Sequence, residues 1–310
     1  MTGEFRSRVQ GLALAGTLAF SLVLSGCTLE ASEDSNGETT TVTHTSQITT
    51  EPPVHSEQEV EEPSASAAPS EDSGSVEEQL QAAVEQTVGL YGGTAGIAFS
   101  DGTSEISAGD MTAYAAWSTI KVPIAIAALR QDPSQTDNVT AAIQRSDNAA
   151  AEALWASLGD PASAGAATSS VLSEGGVGIP VNTVVTRDGF SSFGQTMWST
   201  SDQARFAANL GCIAGSDPVL QDMAMVDPSQ SWGIGQLTGA QFKGGWGPEP
   251  NGAYSARQFG VFTDPSTGQT RALAISVRPG SGDFGEAQSM ANALISHIQG
   301  ALPEIPANNC

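Results

Sequence analysis

Hydrophobic positions along this chain fall into three regimes. From Gly11 to Leu24 they form one run, "GLALAGTLAFSLVL", behind a short basic start carrying Arg6 and Arg8. Large apolar residues then become sparse from residue 28 to about 74. From about Ser75 to Cys310 they return with the periods of regular structure. "VEEQLQAAVEQTVGLYG", opened by Ser75 with Glu78 as a capping box, predicts a helix. "TAGIAFS" and "SEISAGD", around the turn "DGT", predict a hairpin. "YAAWSTIKVPIAIAALRQ" reads as a helix, and "NVTAAIQRSDNAAAEALWASLG" as a helical region broken at Ser-Asp-Asn. A short helix near 163–173 and "STSDQARFAANLGCI", capped by Thr200 or Ser201, complete a helical block. "WGIGQLTGAQFKGGWG", "SARQFGVFTD" and "TRALAISVRPG" alternate as strands, and "FGEAQSMANALISHIQGAL" closes as an amphipathic helix. There is no internal repeat. The order predicts an α+β domain: an antiparallel sheet built from both ends of the segment, flanked by N- and C-terminal helices, with an all-helical insertion. The α/β part is expected over 75–117 and 228–310, the helical part over 118–227.

The first two regimes read as address and tether. Residues 1–26 have the layout of a secretory signal ending in "LSGC". The apolar run is short for a bilayer span, which disfavours an uncleaved anchor. The segment resembles a bacterial lipoprotein signal, and that resemblance implies cleavage before Cys27 and a lipid on its sulfur. Residues 27–74 are rich in Ser, Thr, Glu and Pro, with no Lys or Arg. Such a segment cannot bury enough apolar surface to offset its ordering entropy. It is expected to be an extended, self-repelling tether holding an extracytoplasmic domain off the membrane.

Charge and cysteines narrow the choices further. The formal net charge is −23, which argues against nucleic acid or an anionic lipid surface as a partner. Eleven of the acids lie in the tether, so part of that charge says nothing of the domain. Beyond Cys27, only Cys212 and Cys310 remain, and in an exported domain they are expected to form a disulfide. His44 and His55 sit in the tether and His297 alone in the domain, so neither a metal nor any other cofactor is expected.

The chain has two lysines, Lys121 and Lys243. If Ser118 opens its helix, Lys121 lies one turn later on the same face, where its amine can approach the serine oxygen. A lysine among apolar neighbours loses preference for its charged form and can act as a base. Each piece has a plainer reading: Ser118 and Ser146 as helix caps, Lys243 as a strand-edge charge. In order, however, Ser-x-x-Lys (118–121), Ser-Asp-Asn (146–148) and Lys-Gly-Gly (243–245) form a set that takes in both lysines. This set resembles that of the class A β-lactamase and penicillin-binding protein superfamily. "AAIQRSDNAAAEALWASLGDP" is similar to the class A pattern along its length, and the likeness covers nearly all of 75–310.

The resemblance implies roles. Ser118 would be the nucleophile of an acyl-enzyme and Lys121 would help deprotonate it. Ser146 would pass a proton toward the leaving group, with Lys243 supplying positive potential beside it. Asn148 would hold the substrate amide, and the backbone N–H groups of Ser118 and Trp246 would form the oxyanion hole. Gly244, Gly245 and, more weakly, Arg257 would meet the substrate, although an exposed strand arginine is the simpler expectation.

Three departures qualify the likeness. Ser118 and Ser146 stand only 28 positions apart, so one rim of the cleft is expected to be missing. The stretch "VNTVVTRDGFSSFGQTMWSTSDQARF" holds no glutamate to activate a deacylating water, and Asp188 is its only acid before Trp198. Gly244 replaces the hydroxyl of Lys-Thr-Gly, and Trp246 puts a large ring beside it. "FGQTMW" and "KGGW" resemble a β-lactamase-related group of exported serine hydrolases. The expected substrate is a small-molecule or peptide acyl donor, β-lactam or cell-wall-peptide-like, with weak or no β-lactam turnover. A carboxypeptidase acting on cell-wall peptides is a further possibility. The alternative outside catalysis is a degenerate cell-envelope lipoprotein serving as a binding or scaffolding module.

Overall fold

The computed structural model describes residues 74–310. The signal segment, Cys27 and nearly all of the tether lie outside the described residues. Helix α1 (Val76–Tyr91) opens on the expected capping box of Ser75 and Glu78. Strands β1 (Thr94–Ser100) and β2 (Glu105–Gly109) form the hairpin, and a two-residue strand β3 (Tyr114–Ala115) follows. A 3-10 turn over Trp117–Ile120 leads into α2 (Lys121–Gln131). Then come α3 (Thr136–Gln144), α4 (Asn148–Ser157) and α5 (Pro161–Glu174). A second two-residue strand, β4 (Met197–Trp198), precedes α6 (Thr200–Asn209) and α7 (Asp217–Met223). Strands β5 (Gln241–Pro248), β6 (Tyr254–Thr263) and β7 (Thr270–Arg278) and helix α8 (Phe284–His297) complete the domain.

This is the α+β architecture expected. The sheet runs β2-β1-β7-β6-β5, antiparallel throughout, with β5 at one edge. Its inner strands are covered on both faces, and residue size differs between them. Ile97, Phe99, Leu273, Ile275 and Val277 point into the core shared with α1 and α8. Their alternates Ala98, Ala272 and Ala274 face the helical side, where small side chains let α6 lie close to β1 and β7. Full burial of each large aliphatic contributes about 1.5–3 kcal/mol. Helix α2 is buried without a break from Lys121 to Ala128 and forms the axis of the helical part. Pro123 fits in its first turn, where backbone N–H groups have no intrahelical acceptor.

Four local expectations are corrected. Ser118 does not open α2; it lies inside the 3-10 turn that precedes it. The first part of "WGIGQLTGAQFKGGWG" is a 3-10 turn, Gly233–Gln236, and only Gln241–Pro248 is strand. The cap of α6 is Ser199, not Thr200 or Ser201, because Ser199 Oγ accepts the Asp202 N–H. Arg257 is not an exposed strand arginine: it is 3% exposed, since it shares the inner face of β6 with Phe259 and Val261. Cys212 and Cys310 are disulfide-bonded.

Candidate active site

The 3-10 turn that carries Ser118 begins at Trp117, whose φ is +50°. Ser146, at the break between α3 and α4, has φ +55°. They are the only non-glycine residues with positive φ among the described residues. Such left-handed backbone costs on the order of 1–3 kcal/mol per residue and persists only where surroundings enforce it. Trp117 is enforced by its ring. Its Nε1 donates to Ser255 Oγ at 3.4 Å, Ser255 Oγ donates to Glu249 Oε1 at 2.7 Å, and Phe190 packs edge-on at 5.3 Å. A Cβ on Gly247 would fall 2.7 Å from the indole, so that glycine makes room for it.

Strand β5 then comes very close to the serine. A Cβ at Gly245 would lie 2.8 Å from Ser118 N and 2.9 Å from Ala116 O. Only glycine permits this approach, and it brings Trp246, the next residue on the edge strand, to the same cleft as Ser118. Arg257 braces the turn from behind. Its Nη1 donates to Tyr114 O at 3.1 Å and Trp198 O at 2.7 Å, fastening both strands of the β3–β4 pair that leads into Trp117. Burial lowers its pKa to about 10, and its Nη2 has no partner among the described residues.

The two lysines meet at Ser146. Lys243 Nζ donates to Ser146 Oγ at 2.9 Å and to Gly244 O at 2.8 Å. Lys121 Nζ donates to Ser146 O at 2.7 Å and Asn148 Oδ1 at 2.7 Å, with longer contacts to Asp147 O at 3.3 Å and Ser146 Oγ at 3.5 Å. Burial lowers the Lys121 pKa to about 8, against the opposing pull of Asp147 and Glu152. Lys243 is fully buried, and burial followed by the charge of Lys121 pushes its pKa well down. Two amines sharing one serine oxygen in low dielectric cannot both hold a proton at little cost. Ser118 lines the same cleft as Lys121 and is half-buried, but no hydrogen bond joins its Oγ to the Lys121 amine. The approach expected from the spacing therefore stops at a shared cavity.

That cleft holds about 320 Å³. Besides Ser118, Lys121, Asn148 and Trp246, its walls include Trp117, Glu152, Phe190, Phe193, Pro248 and Tyr254. Gly244, Gly245 and Arg257 are not part of its lining. A Cβ at Gly244 would meet Trp232, Gln258 and Trp246 at 3.5–3.7 Å, on the sheet face turned toward α8. The glutamate-free segment supplies the aromatic wall. Buried Gln195 pins it, donating from Nε2 to the carbonyls of Arg187, Phe190 and Ser191. Asp188 is not among the lining residues.

Glu152 is the site residue that motif reading missed. It lies one turn beyond Asn148 on the same face of α4, so helical spacing from the Ser-Asp-Asn motif carried the signal. Burial raises its pKa while Lys121 opposes the rise. Among the described residues, no group of three or more His, Cys, Asp or Glu side chains is placed to hold a metal, and no helix is long and apolar enough to cross a membrane.

No family model and no curated protein sequence matches the chain. Solved structures do. A class A β-lactamase from Bacteroides cellulosilyticus superposes with a TM-score of 0.62 at 13% identity, covering 74% of this chain and 99% of its own. The TLA-1 extended-spectrum β-lactamase gives 0.61 at 15% identity, covering 74% and 99%. A β-lactamase from Xanthomonas campestris gives 0.54 at 18% identity, covering 73% and 98%. The domain has the fold of these β-lactamases.

Proposed function

We propose that this domain is a serine hydrolase or acyltransferase that forms an acyl-enzyme at Ser118. The observation that carries the reading is the convergence of both lysines on Ser146, beside a cleft-facing serine that the close approach of Gly245 sets against the edge strand. In the attack, neutral Lys121 takes the Ser118 Oγ proton as the oxygen adds to the substrate carbonyl. The developing oxyanion is met by the backbone N–H groups of Ser118 and Trp246, each worth about 3 kcal/mol in such roles. Ser146 Oγ hands its proton to the leaving group, and the bound lysines replace it. Water then releases the acyl group. This second step is slow, because the wall segment that would carry an activating glutamate carries none. β-Lactams therefore acylate faster than they turn over.

The anchor and organisation belong to the same reading. Lipid on Cys27 tethers the domain of residues 75–310 to the outer face of a membrane through residues 27–74. Cys27→Ala is expected to release the protein into the soluble fraction.

Incubation with a fluorophosphonate and with a fluorescent penicillin, followed by intact mass, tests the chemistry. The expected result is a single adduct on the Ser118 peptide, absent from Ser118→Ala. No adduct with either probe overturns the proposal. It would favour the second reading, a non-catalytic binding module, which one observation supports: every Lys121 hydrogen bond goes to 146–148 and none to Ser118 Oγ.

A further inference from the structure

The cleft is poorly equipped to hold an anion. Lys121 and Glu152 are the only ionisable acid and base on its walls, tyrosine aside. The Lys121 amine is occupied by Ser146 O and Asn148 Oδ1. Lys243 has no exposure, and its amine is shared between Ser146 Oγ and Gly244 O. Neither of two guanidinium groups nearby, Arg257 and Arg187, lines the cleft. Arg257 is sealed behind the β3–β4 pair on Tyr114 O and Trp198 O. Arg187 holds Pro248 O at 2.7 Å and lies over the Phe190 ring at 4.7 Å. Apart from Lys121, no cationic side chain lines the cleft to meet a substrate carboxylate, whose recognition rests on charge-assisted, often bidentate pairing. The one exposed charge on the wall, Glu152, repels it.

Five of the residues on those walls are aromatic. Trp117, Phe190, Phe193, Trp246 and Tyr254 line the cleft together with Ser118. Their flat apolar faces reward an aromatic or aliphatic substituent and offer nothing to a hydrated anion.

Resting on the serine-hydrolase reading above, we infer that the substrate is an acyl donor with no carboxylate beside its scissile bond, an ester, thioester or amide bearing an apolar or aromatic group. This sets it apart from carboxylate-bearing β-lactams and from peptides ending in a free C-terminus.

Matched pairs that differ only in that charge test the inference. Acylation of Ser118 is timed by intact mass for benzylpenicillin and its methyl ester. A stem-peptide mimic ending in D-alanyl-D-alanine is compared with its C-terminal amide in the same way. The neutral member is expected to acylate at least tenfold faster in each pair. In Glu152→Gln the neutral-to-acid ratio should shrink at least threefold. Any change in the basicity of Lys121 acts on both members and cancels from that ratio. Equal rates within the pairs, a faster acid member, or an unchanged ratio in Glu152→Gln overturns the inference. So does a failure of both members of both pairs while the fluorophosphonate still labels Ser118. Absence of the fluorophosphonate adduct instead condemns the underlying hydrolase reading, so the two failures are separable.

Discussion

On the proposed acyl-enzyme reading, Lys121 sets the pH at which the site can act. Its amine is buried at the start of α2, and that burial brings its pKa from 10.5 to about 8. Below that value the ammonium form dominates and cannot accept the Ser118 proton. Acylation by a neutral ester should therefore rise nearly tenfold per pH unit up to about pH 8 and then level. Glu152 and Asp147 hold the ammonium form in place, so removing the Glu152 charge must lower the Lys121 pKa further. The rising limb in Glu152→Gln should move to lower pH. A pH–rate profile from timed mass spectra checks both statements, and an unchanged or higher inflection in the variant would refute the assignment of Lys121 as base. The same shift bears on folding. Between about pH 8 and pH 10.5 the unfolded chain binds more protons at this lysine than the folded one does. The burial cost is thus fully present below pH 8 and is relieved as pH rises across that window. A residue kept where it lowers stability is more readily explained by chemistry than by packing.

At the level of elements, the site is a junction between an edge strand and a 3-10 turn, and glycine sets their spacing. Gly245→Ala would press a methyl group against Ser118 N, Ala116 O and Thr119 N, all within 3.0 Å, and backbone cannot yield as a side-chain tip can. Strand and turn must part by several tenths of an ångström, which would spoil the proposed oxyanion geometry. Acylation should fall about 100-fold or more, while the thermal midpoint drops by only a few degrees. Equal acylation rates for variant and parent would show that β5 takes no part in the chemistry. Periodicity made the larger elements legible, because alternation along β1, β6 and β7 and the 3.6-residue repeat of α1 and α8 both answer to burial. Smaller pieces lacked that signal. Strands β3 and β4 have two residues each and α7 has seven, too short for any period to show. Three hydroxyl residues, Ser199 to Ser201, stand in a row, and only the reciprocal bonds of Ser199 with Asp202 select the cap. The meeting of Lys121, Ser146 and Lys243 could be anticipated from motif order. The walls could not, since Phe190 and Tyr254 join Ser118 in the cleft from segments with no sequence relation to it. The burial of Arg257 is legible in the period of β6, which aligns it with the buried Phe259 and Val261.

For the molecule as a whole, the C-terminal tail ties the two sides of the sheet together. It leaves α8 on one face and crosses to the helical side, where Cys310 bonds Cys212 just after α6. Along the way Arg271, paired with Asp264 at 2.7 Å, donates to Pro303 O, and Asn308 N donates to Thr270 O. Asn309 Nδ2 reaches Asp101 O in the β1–β2 turn at 2.8 Å. These bonds fasten the tail at both ends of its path, so the disulfide has little native geometry left to impose and acts chiefly on the unfolded chain. The cysteines are 98 positions apart. Closing a loop of that length removes unfolded-state entropy worth about 4–5 kcal/mol in the chain-entropy model. For a domain of this size, that corresponds to roughly 10–15 °C in the thermal midpoint. Neither cysteine lines the cleft, so the chemistry should not depend on the bond. Reduction, or the paired change Cys212→Ser with Cys310→Ser, should lower the midpoint by that amount in a thermal scan. Fluorophosphonate labelling of Ser118 at low temperature should keep its rate. A midpoint unchanged by reduction would mean that the tail's hydrogen bonds alone hold the two sides together. Labelling lost in step with the disulfide would mean that the tail positions the nucleophile across the width of the sheet.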